Sequence, residues 1–347
     1  MLKDVIVKTL NKHISLVKGG NSTYSDSQEF LVWSWAGVNQ ISVQQASEEL
    51  CDCGYAVPCG DAVLARLSNQ PFRILEQGFH HVFKDHVSQA RKQRLFTHSV
   101  IVAIDFTDLE WYGEELPFIV QGKAKKGTDR FIRFATVGIV EDGKRFTLKV
   151  LPVTPLSCKE KIVRELLVFA QKLVSIRVVL LDRGFYANEV IQEIKNCGIG
   201  FVMPVKKYDK VKQLMKTVYK GGPQTYEMSK GAVYTFVVVK DEDTGKLLPY
   251  ATNLEGIQPG VIHELYMHRF GIETQYRLKN QFLGRTCSKQ YGVRYGFFIL
   301  AVALYNLWVI LNILERGRQG LDPGKIPIKV DRLKHIFRKI VYRGAPV

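Results

Sequence analysis

The sequence is short of acid. Its 33 Asp and Glu stand against 49 Lys and Arg over 347 residues, for a formal net charge of +16. Neither sign is gathered into a low-complexity tail, so the imbalance belongs to folded surface. It favours a polyanion or an anionic membrane as partner, nucleic acid first. An apolar h-region and a small-residue cleavage site are missing from the opening MLKDVIVKTLNKHISLV, which argues against secretion. Cysteine is scarce too: six thiols without an extracellular address read as reduced, and a cytoplasmic location is expected. Cys51, Cys53 and Cys59 cluster as CDCGYAVPC, but two C-x-x-C pairs are lacking and no nearby His completes four ligands, so zinc is not expected. Long apolar runs are absent with one exception. GFFILAVALYNLWVILNIL, residues 296 to 314, would span about 28 Å as a helix. Asn306 and Asn312 interrupt it and no second span exists, so a buried core helix is expected rather than a membrane crossing.

A chain of this length buries a large core and forms two or three structural units. Residues 1–95 read as helical. Within them ISVQQASEELCDCGYAVPCGDAVLARLSN predicts two short helices around a Gly-containing turn. Ser42 is the N-cap of the first and Gln45 its capping-box partner; Gly54 ends it, and Asp61 or its predecessors open the second. The pair fits a helix-turn-helix DNA reader and an ordinary helical hairpin equally well. From residue 98 the pattern changes. HSVIVAIDFTD predicts a buried strand ending at Asp105, KAKKG lies in a connection, and FIRFATVGIV and RFTLKVLPV form a hairpin around Asp142-Gly143. Residues 158–175 are helical, IRVVLLDRGF is a strand ending at Asp182, ANEVIQEIKN is a helix and GFVMPVK a strand. This order predicts an α/β fold, a mixed sheet with flanking helices. Asp105 and Asp182 then both stand at C-terminal ends of buried strands, where ligands collect in open α/β sheets. Residues 206–258 break the rhythm and read as a strand-rich insertion. Residues 315–343 carry nine Lys/Arg against three acids, either a phosphate-contacting tail or a solvated basic helix.

YMHRFGIETQYRLKN, residues 266 to 280, is the other stretch of interest. As one helix at about 100° per residue, it sets Arg269 about 60° and Glu273 about 20° from Tyr266, on one face. The plain explanation is an Arg–Glu i,i+4 pair. Two strand-end aspartates add a second: with Glu273 they supply hard oxygen ligands for Mg²⁺ or Mn²⁺. Two such ions about 4 Å apart activate a water or a 3′-hydroxyl and stabilise the leaving oxygen of a phosphodiester. Crowded carboxylates repel, so a metal-free site is expected to be strained.

Together these features resemble the DDE transposases of the insertion-sequence-4 type. LLDRGF resembles the segment around that family's second aspartate, and YMHRFGIETQYRLKN resembles its signature Y-x2-R-x3-E-x6-K. The resemblance implies an RNase H-like catalytic core made of residues 96–205 and 259–315, with 206–258 as the β-rich insertion before the Glu helix. Residues 1–95 become a helical DNA-binding region and 316–347 a basic tail. It further implies a transposase that binds terminal inverted repeats, cleaves DNA and joins the ends to target DNA, with excision through hairpinned ends. Asp105, Asp182 and Glu273 would be its catalytic residues and metal ligands for two Mg²⁺ or Mn²⁺ ions. Tyr266 and Arg269 would contact DNA, and synapsis of two ends implies at least a homodimer, with no membrane partner. One position departs: Asn280 stands where the family has lysine, and Lys279 comes one residue early. Lys279 lies about 120° round from Glu273 and Arg277 about 40°, so Arg277 is expected to take part of that lysine's DNA-binding role. Two rival readings are a structure-specific nuclease or resolvase, and a non-catalytic DNA-binding protein.

Overall fold

The structure is a computed structural model and describes residues 2–18 and 23–344. Five helices come first: α1 (Leu2–His13), α2 (Asp26–Asn39), α3 (Val43–Asp52), α4 (Gly60–Ser68) and α5 (Phe72–Lys92). Four strands follow, β1 (Val100–Glu110), β2 (Val120–Lys125), β3 (Thr128–Ile139) and β4 (Thr147–Val153). Then come α6 (Lys159–Leu173), β5 (Ile176–Leu181), α7 (Asn188–Asn196), β6 (Gly200–Pro204), α8 (Asp209–Gly221), β7 (Gln224–Glu227), β8 (Val233–Lys240) and β9 (Leu247–Thr252). The chain closes with α9 (Pro259–Met267), α10 (Phe270–Lys279), α11 (Tyr291–Gln319) and α12 (Val330–Arg343). Two compact units result. One is the sheet unit, Phe96–Glu273; the other, a helical unit, joins Met1–Leu95 to Thr274–Val347.

All nine strands of the sheet unit form one sheet, ordered β2-β3-β1-β5-β6-β9-β8-β7, with β4 paired to β3 as well. β1, β5 and β6 are parallel to one another, and every other pairing is antiparallel. Parallel neighbours need crossovers on the sheet faces, and α7 supplies one between β5 and β6. α6 buries Ile162, Val163, Leu166, Leu167, Ala170 and Leu173, a 3–4 spacing that lays a single apolar stripe towards the core. Each large aliphatic side chain so buried stabilises the unit by roughly 1.5–3 kcal/mol. The central strands are apolar on both faces, as a covered sheet requires: Val100 to Ile104 and Val178 to Leu181 are all buried.

Three details differ from the sequence expectation. β1 does not stop at Asp105 but runs five residues further, because its pairing with β3 continues to Glu110↔Phe131. KAKKG is not merely a connection. Lys126 and Gly127 both take positive φ (47° and 84°), a tight turn that folds β2 back onto β3 as an edge strand. The segment at 206–258 is no separate β-unit either, since β9 pairs with β6 (Val202↔Thr252) and its hairpin extends the same sheet.

In the helical unit, Ser42 caps α3 by accepting from the Gln45 amide, but the Gln45 side chain donates to Glu49 instead of returning to the cap, so the box is half formed. Residues 53–59 separate α3 from α4, longer than the three or four residues of a helix-turn-helix turn. α11 is apolar and long enough to cross a membrane, yet its residues from Tyr295 to Ile310 are buried within the helical unit. The polar interruption at Asn312 has a structural use. Its side chain donates to the carbonyls of Trp308 (3.0 Å) and Ile328 (3.1 Å) and accepts from the Ile328 amide (2.9 Å), clasping the segment before α12. Asn312→Leu keeps the volume and the apolarity but leaves those backbone groups without their partner. It should lower stability by about 2–4 kcal/mol, read as an earlier urea midpoint.

Candidate active site

The parallel register of β1 and β5 pairs Ile104 with Leu181. The next residue on each strand is an aspartate, so Asp105 and Asp182 stand side by side. β5 ends there, and Asp182 turns the chain: it caps the short 3-10 turn Arg183–Phe185 by accepting from the Gly184 amide at 2.8 Å. The carboxylate folds so closely over Gly184 that a Cβ at that position would lie 2.9 Å from its Oδ1. Phe106 and Phe185, one residue past Asp105 and three past Asp182, stack at 4.7 Å between centroids and 26° between planes. That contact ties the two aspartate-bearing backbones together. Neither ring stood out in the sequence, because only the strand register shows that they meet. A carboxylate–guanidinium pair, Asp108 with Arg133 (2.6 and 3.0 Å), holds the β1–β3 ribbon just beyond.

The stretch from Tyr266 to Asn280 is not one helix. α9 ends at Met267 and α10 begins at Phe270, and i,i+3 bonds such as Arg269 N to Tyr266 O and Ile272 N to Arg269 O carry the chain across the break. Just past the break the chain runs flush against the end of β3, where a Cβ on Gly271 would lie 2.8 Å from the Val140 carbonyl oxygen. A continuous helical phase therefore does not describe the relation of Tyr266 to Glu273. Arg269, 8% exposed, lies in the break and reaches both sides of the cluster. Its Nη1 donates to Asp105 Oδ2 at 3.2 Å and its Nη2 to Glu273 Oε1 at 2.7 Å. Its guanidinium lies 5.8 Å from the Tyr266 ring centroid and 5.1 Å from that of Phe270. Tyr266 packs on Tyr250 (5.1 Å), whose hydroxyl bonds His263 Nδ1 at 2.8 Å, a supporting cluster that the signature did not disclose.

Asp105, Asp182, Arg269, Glu273 and Tyr266 are thus brought together within the sheet unit. Arg277 and Lys279 belong to the helical unit. Lys279 is 1% exposed there, its ammonium 4.5 Å from the Tyr276 ring and 5.9 Å from that of Tyr305. Arg277 is exposed.

One guanidinium joins two of the three carboxylates, Asp105 and Glu273, and the third, Asp182, stands beside Asp105. Burial, then the neighbouring Asp182, push Asp105 up from an ordinary 3.8 to about 6, against the opposing pull of Arg269 and the Phe106 amide. Two adjacent hard-oxygen donors so placed fit a divalent cation, which would relieve the repulsion. Glu273, its carboxylate held by Arg269, is the outlying donor. Among the described residues, no three His, Cys, Asp or Glu side chains are gathered closely enough to hold an ion as they stand.

A mixed sheet of this order flanked by helices is a transposase catalytic fold. A family model described as Transposase DDE domain matches residues 97–307, and the chain belongs to that family. Transposase DDE domains use divalent metal ions. Among solved structures, the chain is similar to piggyBac transposase in a cryo-EM synaptic complex with hairpin DNA, at 15% identity and a TM-score of 0.59, over 98% of this chain and 78% of that one. No curated protein matches the sequence.

The raised pKa of Asp105 makes the native state bind an extra proton between about pH 4 and pH 6. Stability therefore falls as pH rises through that window and stays lower above it. In EDTA at pH 8, Asp105→Asn should melt higher than the unaltered chain, by no more than about 3 kcal/mol. The difference should shrink below pH 4; thermal melts across pH 3.5–8 measure it.

Proposed function

We propose that this chain is a DNA transposase of the insertion-sequence-4 type, which cuts at the terminal inverted repeats of its own element and joins the 3′-hydroxyls to target DNA. One observation carries the proposal above all. In a member of the transposase DDE domain family, two aspartates stand side by side at neighbouring parallel strands, and one arginine ties the first of them to a glutamate in the first turn of α10. Asp105, Asp182 and Glu273 are the catalytic carboxylates and would hold Mg²⁺ or Mn²⁺. Bound there, the metal supplies Lewis acidity, lowering the pKa of a water or hydroxyl and offsetting charge on the leaving oxygen. The protein's part is placement. Arg269 keeps Asp105 and Glu273 oriented, the Phe106–Phe185 stack keeps Asp105 beside Asp182, and Tyr266 offers a ring to a base or sugar at the cut.

Arg277, exposed where Lys279 is buried, takes the DNA contact that the family assigns to its lysine. Exposed Arg332, Lys339 and Arg343 share one face of α12 and suit a phosphate backbone, and the N-terminal helices are the reader of the repeat. The structural likeness to a transposase captured as a synaptic complex with hairpin DNA supports synapsis of two ends by at least two copies, with hairpinned excision. Cellular access to DNA is consistent with the cytoplasmic location expected above.

Labelled duplexes carrying the element's ends test this. With Mg²⁺ the chain should nick at the repeat boundary and yield joined products; EDTA or Glu273→Gln should abolish both while end binding persists. Strand transfer retained by Glu273→Gln would overturn the assignment of that residue. Nicking that never leads to joined products would move the function to a nuclease. For the flanking pair, Arg277→Ala should weaken end binding about tenfold with an unchanged melting temperature. Lys279→Ala should instead cost about 2 kcal/mol of stability through lost cation–π contacts, visible in denaturant unfolding.

A further inference from the structure

Five cations gather at the edge of the sheet where β5 and β6 end, and none of them is paired with an acid among the described residues. Arg183 follows Asp182 directly in the 3-10 turn. Lys159, in the first turn of α6, donates to the Gly184 carbonyl at 2.8 Å. Lys206 and Lys207 leave the C-terminal end of β6, the strand next to β5. Lys207 Nζ donates to the carbonyl of Leu247 at 2.9 Å, which brings it beside Lys246. None of the five forms an ion pair among the described residues, whereas Lys149, Lys212 and Lys230 of the same unit each pair with a carboxylate. The acids of the nearby β8–β9 turn do not compensate. Asp241 is taken by the Thr244 amide and hydroxyl, and Glu242 and Asp243 make no ion pair among the described residues. Burial, and then the like charges of Arg183 and Lys246, hold Lys207 below its ordinary pKa. The cations are therefore close enough to repel.

Folding like charges together without counter-charges is unfavourable, and proteins usually intersperse the two signs on their surfaces. A cluster left unpaired beside a catalytic carboxylate is offset when a polyanion arrives. From β5 across β6 to β9 is two strand spacings, roughly 10 Å; at about 3.4 Å of rise per nucleotide on one strand, that span covers about three phosphates. We infer that Lys159, Arg183, Lys206, Lys207 and Lys246 form a phosphodiester-binding shelf on the Asp182 side of the active site, gripping duplex DNA next to the bond to be cut. The inference rests on the transposase function proposed above.

Salt dependence separates the two. Binding of the full chain to a fluorescein-labelled duplex of arbitrary sequence is followed by anisotropy from about 50 to 200 mM NaCl. The unaltered chain, Arg183→Gln, Lys207→Gln, Lys207→Arg and a distant surface control, Lys172→Gln, are compared. Each phosphate contact removed should reduce the slope of log K against log salt by about 0.9, so that this fourfold rise in salt weakens binding about 3.5-fold less than in the unaltered chain. Arg183→Gln and Lys207→Gln should each show that loss, while Lys207→Arg and Lys172→Gln keep the full slope. Unchanged slopes in both glutamine variants, or an equal loss in Lys172→Gln, would overturn the shelf and leave the transposase function standing. Failure of the unaltered chain to bind the duplex at all would overturn both.

Discussion

Two carboxylates side by side on parallel strands repel each other, and the sheet unit is arranged so that they can stay there. The register of β1 on β5 makes Asp105 and Asp182 neighbours. The Phe106–Phe185 stack holds the backbone on both sides of that pair. Asp182 is steadied by its own turn through the Gly184 amide, and Asp105 by the Phe106 amide and Arg269. The fold thus stores an electrostatic tension at one point while the surrounding packing stays rigid. Such tension is affordable because the double-sided apolar core of β1 and β5 stabilises the unit by far more than the repulsion costs.

Arg269 is the hinge of the electrostatics. The plain explanation of the signature, an i,i+4 ion pair with Glu273, is present in the geometry, yet the same guanidinium also reaches Asp105 on a strand far away in sequence. A buried arginine is costly unless its fork is filled, and here two of its nitrogens are filled by carboxylates from different elements. Structural and functional explanations of this residue coincide, since whatever holds Arg269 also holds the carboxylates.

Much of this was legible in the residues. Apolar runs closed by Asp105 and Asp182 marked the two central strands, and the spacing of Tyr266, Arg269 and Glu273 marked the third contributor. What escaped was set by long-range pairing. The extra length of β1 is decided by β3, the edge strand β2 by a left-handed Lys126-Gly127 turn, and the merging of β7–β9 into the main sheet by the β6–β9 register. The break between α9 and α10, and the close approach of Gly271 to the Val140 carbonyl just beyond it, are features that no helical period anticipates. The helical phase turned Lys279 away from Glu273 but could not show where it goes; the rings of Tyr276 and Tyr305 beside its ammonium come into view only when the helices pack.

The division of the chain carries a consequence of its own. The sheet unit is spliced into the helical one: the backbone leaves the helices once after Leu95 and rejoins them once after Glu273, inside α10. Half of the helical core, including α11, is synthesised only after the whole sheet unit has emerged. During synthesis the part of α5 that α11 covers stays exposed until α11 emerges, so the helical unit can close its core only after the sheet unit has been made.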